Sequence, residues 1–232
     1  MRPHGGRVGG RFADRVDAGR QLAACLEEYR GTDAVVVGLP RGGVPVAFEI
    51  ATALALALDV IVVRKLGVPY QPELALGAVG EHGVRVLNRA VAAATGIGDE
   101  ALAAIERRER VEVERRATLF RAGREGVALT ERTVIVVDDG IATGATTRAA
   151  CQVARAAGAT RVVLAIPVAP AESLAELADA VDDLVCLTAP AWFNAVGEWY
   201  EDFTQTSDAE VIALLAQAAT QRPGTGANPA AI

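Results

Sequence analysis

The sequence predicts an α/β fold: a doubly wound, mainly parallel five-stranded sheet with a flap hairpin insertion and a C-terminal hood. Short apolar runs at Ala34–Val37, Val60–Val63, Val134–Val137, Val162–Ile166 and Leu184–Leu187 read as buried strands, and helical stretches separate them. The first three runs end in glycine, paired cations or paired carboxylates. In open α/β sheets, ligands bind outside the C-terminal ends of the strands, so these ends are the candidate site.

Taken in order, residues 1–11 are rich in Gly and Arg and are expected to be poorly ordered. Phe12–Tyr29 reads as a helix with Val16, Leu22, Leu26 and Tyr29 inward and Arg15, Asp17, Arg20 and Glu27 facing water. A helix to about Ala57 follows the first strand and its loop, Gly38–Gly43. The second strand ends in Arg64-Lys65. Glycines and prolines then break regular structure over about 66–88, where Leu74–Val79 and Val84–Leu87 are expected to pair as a mobile flap around Gly80-Glu81-His82-Gly83. Gly98 to about Phe120 is a long helix whose charges sit at i,i+4 spacing, as in Glu106–Arg110 and Glu112–Arg116. The flap and this helix make up about 66–122. A helix over about Thr143–Ala157 stops at Gly158, and a short one spans Ala171–Ala180. Half of the chain's ten aromatics lie within Pro190–Thr206: Trp192, Phe193, Trp199, Tyr200 and Phe203. They suit either stacking on a planar base or docking the last helix on the core. Ser207-Asp208-Ala209-Glu210 is a capping box that starts this helix, so hood and helix cover about 190–220. Residues 221–232 read as a disordered tail, and the whole chain as one domain, 1–232.

Bulk properties exclude several classes. With 51% hydrophobic and 22% charged residues, the chain is globular. A net charge of −6 argues against a nonspecific nucleic-acid binder. The three cysteines, Cys25, Cys151 and Cys186, are far apart and read as free thiols of a reducing compartment. The start has no apolar run, and the longest apolar stretch, Ala51–Val63, is too short for a bilayer. A cytoplasmic protein without membrane or nucleic-acid partners is expected.

The chemistry centres on Asp138-Asp139-Gly140-Ile141-Ala142-Thr143-Gly144-Ala145-Thr146-Thr147. A helix N-terminus after glycine offers backbone N–H groups to a phosphate. The two aspartates repel that phosphate and need sugar hydroxyls or a metal nearby. Arg41, between glycines, suits phosphate oxygens, although such a loop is also an ordinary βα turn. Arg64 and Lys65 either face an anion or are solvated. A ligand with a ribose, phosphates and Mg2+ satisfies all of these. Gly38–Gly43 has the wrong spacing for a dinucleotide fold, and Ala145 stands where a P-loop needs lysine.

These residues resemble the type I phosphoribosyltransferases. Val134–Thr147 is similar to that family's signature for phosphoribosyl pyrophosphate (PRPP), Gly38–Gly43 to its pyrophosphate loop, and Arg64-Lys65 to the cation pair of its adenine-type members. Phe12-Ala13-Asp14-Arg15 and Trp199-Tyr200 resemble a bacterial subgroup of unassigned substrate. The resemblance implies that Asp138 and Asp139 hold the ribose hydroxyls, partly through Mg2+, and act in catalysis with Arg64 and Lys65. It implies that Ala142, Thr143, Gly144, Ala145, Thr146 and Thr147 cradle the 5′-phosphate. Arg41, Gly42, Gly43, Arg64 and Lys65 would take the pyrophosphate, and a flap over 66–88 would exclude water. Trp192 and Phe193 are candidates for the base. Ala142 stands where members acting on 6-oxopurines carry an aspartate, which argues against that acceptor class. Glu81 and His82 are candidate replacement bases or simply a surface turn. The implied activity is transfer of the phosphoribosyl group to a nitrogen acceptor with release of pyrophosphate, with a homodimer possible by analogy. The alternative is a PRPP sensor without turnover.

Overall fold

The computed structural model describes residues 10–68, 71–81 and 83–221. The expectations for the first nine residues, for His82 and for the tail beyond Gln221 fall outside these.

Five parallel strands form the main sheet: β1 (Val35–Gly38), β2 (Ala57–Val60), β6 (Thr133–Val137), β7 (Arg161–Val168) and β8 (Asp183–Thr188), in the order β2-β1-β6-β7-β8. Alternate residues feed two cores. Val36, Ile135, Val137, Val163 and Ala165 pack with α1 (Arg15–Cys25), α2 (Gly43–Leu54) and α7 (Asp208–Gln221). Val35, Val134, Val136, Val162 and Leu164 pack with α5 (Ala145–Ala156) and α6 (Ala171–Leu177). Burial on both faces explains why the strands read as unbroken apolar runs. The order reverses between β1 and β6, and their C-terminal ends, Gly38 and Val137, lie side by side. Such a reversal opens a crevice for ligands.

The insertion contains the expected antiparallel hairpin, with Gly77–Val79 paired to Arg85–Leu87, and adds a third strand to it. β3 (Arg64–Val68), β4 (Gln71–Val79) and β5 (Arg85–Leu87) form a separate antiparallel sheet, followed by α3 (Arg89–Thr95) and α4 (Asp99–Arg121). The second parallel strand is β2, at 57–60, and Arg64-Lys65 open β3 instead of closing a parallel strand. Ile61 and Val62 are buried loop residues, so composition alone cannot tell them from strand. The turn at Gly80 does not reach over the candidate site. It lies on the C-terminal half of α5, where a Cβ on Gly80 would stand 2.3 Å from Val153 Cγ1.

An ion network holds this insertion to the main sheet. Arg121, the last residue of α4, donates from Nε to Asp59 of β2 at 2.9 Å and from Nη2 to Glu81 at 3.1 Å. The Val127 N–H also donates to Asp59, at 2.7 Å.

The first helix is shorter than its periodicity suggests. Asp14 caps it by accepting from the Asp17 N–H at 2.8 Å, which leaves Phe12 outside. Phe12 pairs instead as an isolated bridge with Tyr200, and its ring packs 5.4 Å from the Tyr200 ring. The hood aromatics Tyr200 and Phe203 therefore dock the N-terminal segment, not the last helix. That helix does begin at the capping box, with the Glu210 N–H donating to Ser207 Oγ at 3.1 Å. All three cysteines are free thiols. Among the described residues, no helix is long and apolar enough to cross a membrane.

Candidate active site

The reversal in strand order brings two loops into contact. The β1–α2 loop carries Arg41 and Gly42 and runs into Gly43, the first residue of α2, with a cis peptide between Pro40 and Arg41. Its first N–H, from Leu39, donates to the Val137 carbonyl at 2.9 Å. A Cβ on Gly42 would lie 1.9 Å from Asp139 Oδ2, and one on Gly43 would lie 2.6 Å from the Val137 carbonyl oxygen. Side chains there would drive the loop off the strand end. Glycine is what lets this loop close on the carboxylates.

Both carboxylates are well shielded. Asp138 accepts from the Asp139 N–H at 3.0 Å and from the Thr147 hydroxyl at 3.2 Å. Burial, and then the charge of Asp139, push its carboxyl up to about 8. Burial also raises Asp139, against the opposing pull of Arg15. The expectation that Arg15 faces water is overturned: it points inward and donates to Asp139 Oδ2 from Nε at 2.8 Å. Its Nη2 lies at 2.8 Å from the same oxygen. The Tyr200 hydroxyl donates to the Asp139 carbonyl at 2.6 Å, and burial raises that phenol well above its usual range. Phe12-Ala13-Asp14-Arg15 was visible in the sequence as a motif. The target of its arginine was not, because it lies 124 positions away.

Beyond the carboxylates, Gly140–Gly144 runs into α5. Gly144 adopts φ +72°, and the helix begins at Ala145, two residues later than its sequence suggests. Ser173 on α6 donates to the Ala142 carbonyl at 2.7 Å and so braces the loop. Ala142, Thr143, Ala145 and Thr146 are exposed, with the first N–H groups of α5 among them. Thr147 is buried, and its hydroxyl faces Asp138 instead of the open side of the loop.

The cationic side is more constrained than expected. A cleft of about 580 Å³ is lined by Pro40, Arg64, Lys65, Glu109 and Thr146, so the β1–α2 loop, β3, α4 and α5 meet there. Arg64 is not a free cation, however, since its Nε donates to Glu109 at 2.9 Å. Arg108 donates to the other Glu109 oxygen, from Nη2 at 2.8 Å. Burial pushes the Glu109 carboxyl up, but the Arg64 and Arg108 guanidiniums together hold it below the usual carboxylate range. Arg41 is half-exposed, with Nη1 at 3.6 Å from Asp208 at the start of α7. Trp192 is 90% exposed, whereas Phe193 is half-buried against the hood cluster. Glu81 lines a different pocket and pairs with Arg121, so it does not share the cleft.

Comparison with known proteins gives a consistent result. Residues 13–203 match the phosphoribosyl transferase domain family. A Mycobacterium tuberculosis protein with a provisional phosphoribosyl transferase name, from strains H37Rv and CDC 1551 / Oshkosh, is 57% identical over 220 residues. That alignment takes in 95% of this chain, and the chain spans about 50% of the length of that relative. The crystal structure of TT1426 from Thermus thermophilus superposes with a TM-score of 0.82 at 43% identity, over 89% of this chain and 98% of that one. With the family match covering most of the sheet, the acidic strand end and both loops, the chain belongs to the phosphoribosyl transferase domain family.

Proposed function

We propose that the protein is a Mg2+-dependent phosphoribosyltransferase that uses PRPP and transfers the phosphoribosyl group to a nitrogen acceptor other than a 6-oxopurine, with release of pyrophosphate. The observation that carries this reading is the meeting of the Arg41–Gly43 loop with Asp138-Asp139 beside the exposed N-terminus of α5. One ligand with a phosphate, a ribose and a pyrophosphate in sequence fits that order.

In this reading the amides of Gly144, Ala145 and Thr146, with the hydroxyls of Thr143 and Thr146, hold the 5′-phosphate. Asp138 and Asp139 accept from the ribose hydroxyls and stabilise the sugar cation as the bond to the leaving group lengthens. Arg41, Gly42 and Gly43 cradle the pyrophosphate, and Lys65 neutralises it. Arg64, braced by Glu109, contributes from one wall of the cleft. The exposed face of Trp192 is available to stack on a planar acceptor.

The donor set fits a magnesium ion delivered with a polyphosphate. Mg2+ binds through one or two carboxylates plus substrate oxygens and keeps several waters. Asp138 is half-buried with a hydroxyl and an amide as partners and, among the described residues, no cation paired with it, and Asp139 stands beside it. The ion would neutralise charge on the leaving pyrophosphate.

Two experiments test this. Replacing both carboxylates, Asp138→Asn with Asp139→Asn, is expected to abolish PRPP binding in the presence of Mg2+. Unchanged affinity by calorimetry would overturn the assignment. A screen for pyrophosphate release with purines, pyrimidines and amines then looks for the acceptor. Binding without release for any acceptor would favour a PRPP sensor, a reading that the absence of an acid at Ala142 keeps in view.

A further inference from the structure

The guanidinium of Arg15 is held on every side. Nε and Nη2 lie at 2.8 Å from Asp139 Oδ2. Its Nη1 donates to the Thr204 carbonyl at 2.8 Å, and its carbon sits 4.0 Å from the centre of the Phe203 ring. The side chain is only 11% exposed. Thr204 and Phe203 belong to the hood, and Arg15 itself opens α1, whereas Asp139 lies two residues past the end of β6. One side chain thus joins three separate parts of the chain at a carboxylate.

On the other flank, the backbone of Gly42 presses on the same oxygen, where no Cβ would fit. Asp139 Oδ2 is therefore wedged between Arg15 and the β1–α2 loop. A planar guanidinium can fix the direction of a carboxylate, which a point charge cannot do. Two adjacent half-buried carboxylates also repel each other, and a fixed cation against one offsets that repulsion. The clamp uses only Oδ2, so Oδ1 keeps acceptor capacity toward a ligand.

We infer that Arg15 is a positioning residue for the site: it clamps Asp139 by Oδ2 against the β1–α2 loop, and so ties docking of the hood to the carboxylate geometry that receives the ribose of PRPP. This rests on the phosphoribosyl reading above. Arg15 itself touches no ligand and acts through Asp139. The hood is then part of the binding machinery, because its Thr204 and Phe203 hold the clamp in place.

Calorimetric titration of PRPP with Mg2+ in excess tests the inference on the full chain, with circular dichroism confirming that each variant folds. Arg15→Ala is expected to weaken binding by about tenfold or more, the usual range for removing a partner that orients a ligating group. Arg15→Lys is expected to recover only part of that loss, because its ammonium cannot make the two-nitrogen contact. Phe203→Leu loosens the hood while leaving the Arg15–Asp139 pair and is expected to cost less than Arg15→Ala. In an Asp139→Asn background, Arg15→Ala is expected to have no further effect beyond about twofold. If that background binds too weakly to measure, the Arg15→Lys and Phe203→Leu results decide. Full rescue by lysine, or equal losses for Phe203→Leu and Arg15→Ala, would show that Arg15 serves the hood alone and overturn the inference. Binding by Arg15→Ala within about twofold of the parent chain would overturn it as well. A parent chain that does not bind PRPP overturns the phosphoribosyl reading itself, and the positioning role with it.

Discussion

A shielded carboxyl beside a second carboxyl works against the ligand-free fold. Asp138 is pushed up to about 8, whereas in an unfolded chain it titrates near pH 4. Its folded value is raised, so folding takes up a proton between the two. The stability it permits is fully present below about pH 4 and is lost as pH rises through about 8. Asp138→Asn is therefore expected to stabilise the ligand-free protein near pH 8 by about 1–3 kcal/mol and to make little difference near pH 4. Thermal unfolding across that range, with a chelator present, checks this; a variant no more stable than the parent at the upper end would contradict it. The identity of this residue was legible because two acids after four apolar residues are conspicuous. Its environment was not. The Thr147 hydroxyl was expected to serve the phosphate loop, yet a one-turn reach back from α5 puts it on Asp138.

Among the elements, the insertion departs most from its sequence. The apolar run Val60–Val63 reads as the second strand, just past Asp59. In the fold, Asp59 lies inside β2 and is buried, because Arg121 arrives from the end of α4 to pair with it. A charge that ends a strand when alone is tolerated within one when its partner comes from elsewhere. Arg121→Met is expected to destabilise the protein by about 3–5 kcal/mol, since Asp59 and Glu81 would be left shielded without their cation. Urea unfolding measures it, and a loss within ordinary surface effects would show that water replaces the guanidinium. The same network fixes the Gly80 turn: Glu81 is anchored to Arg121, away from the cleft. Of the glycines and prolines expected to break regular structure, Gly80 and Gly83 do mark a turn, whereas Gly67, Pro72 and Gly77 lie within β3 and β4, and none of them says which end of α5 the turn meets.

For the whole molecule, the N-terminal segment and the hood behave as one closure. The Phe12 N–H donates to the Trp199 carbonyl, and the Glu201 N–H to the Phe12 carbonyl, each at 2.8 Å. Phe12 is 3% exposed, packed on Tyr200 and Val168 in a core of its own. Phe12→Ala is expected to cost about 3 kcal/mol and to open the hood locally before the sheet unfolds. Limited proteolysis within 190–206 at low denaturant checks this; cleavage no faster than in the parent chain would count against a local opening.

The sequence by itself determined the parallel α/β architecture, the acidic strand end, the small-residue loop into a helix and the capping box of the last helix. Each of these follows from local periodicity or from neighbours within one turn. Only the tertiary structure decided the strand order that sets Gly42 against Asp139, the pairing of Arg64 with Glu109, and the burial of Arg15 at the carboxylates. The physical reason is distance along the chain. A guanidinium next to an aspartate in sequence announces an ion pair. One that meets its partner from another element reads as a solvated face until the fold is closed.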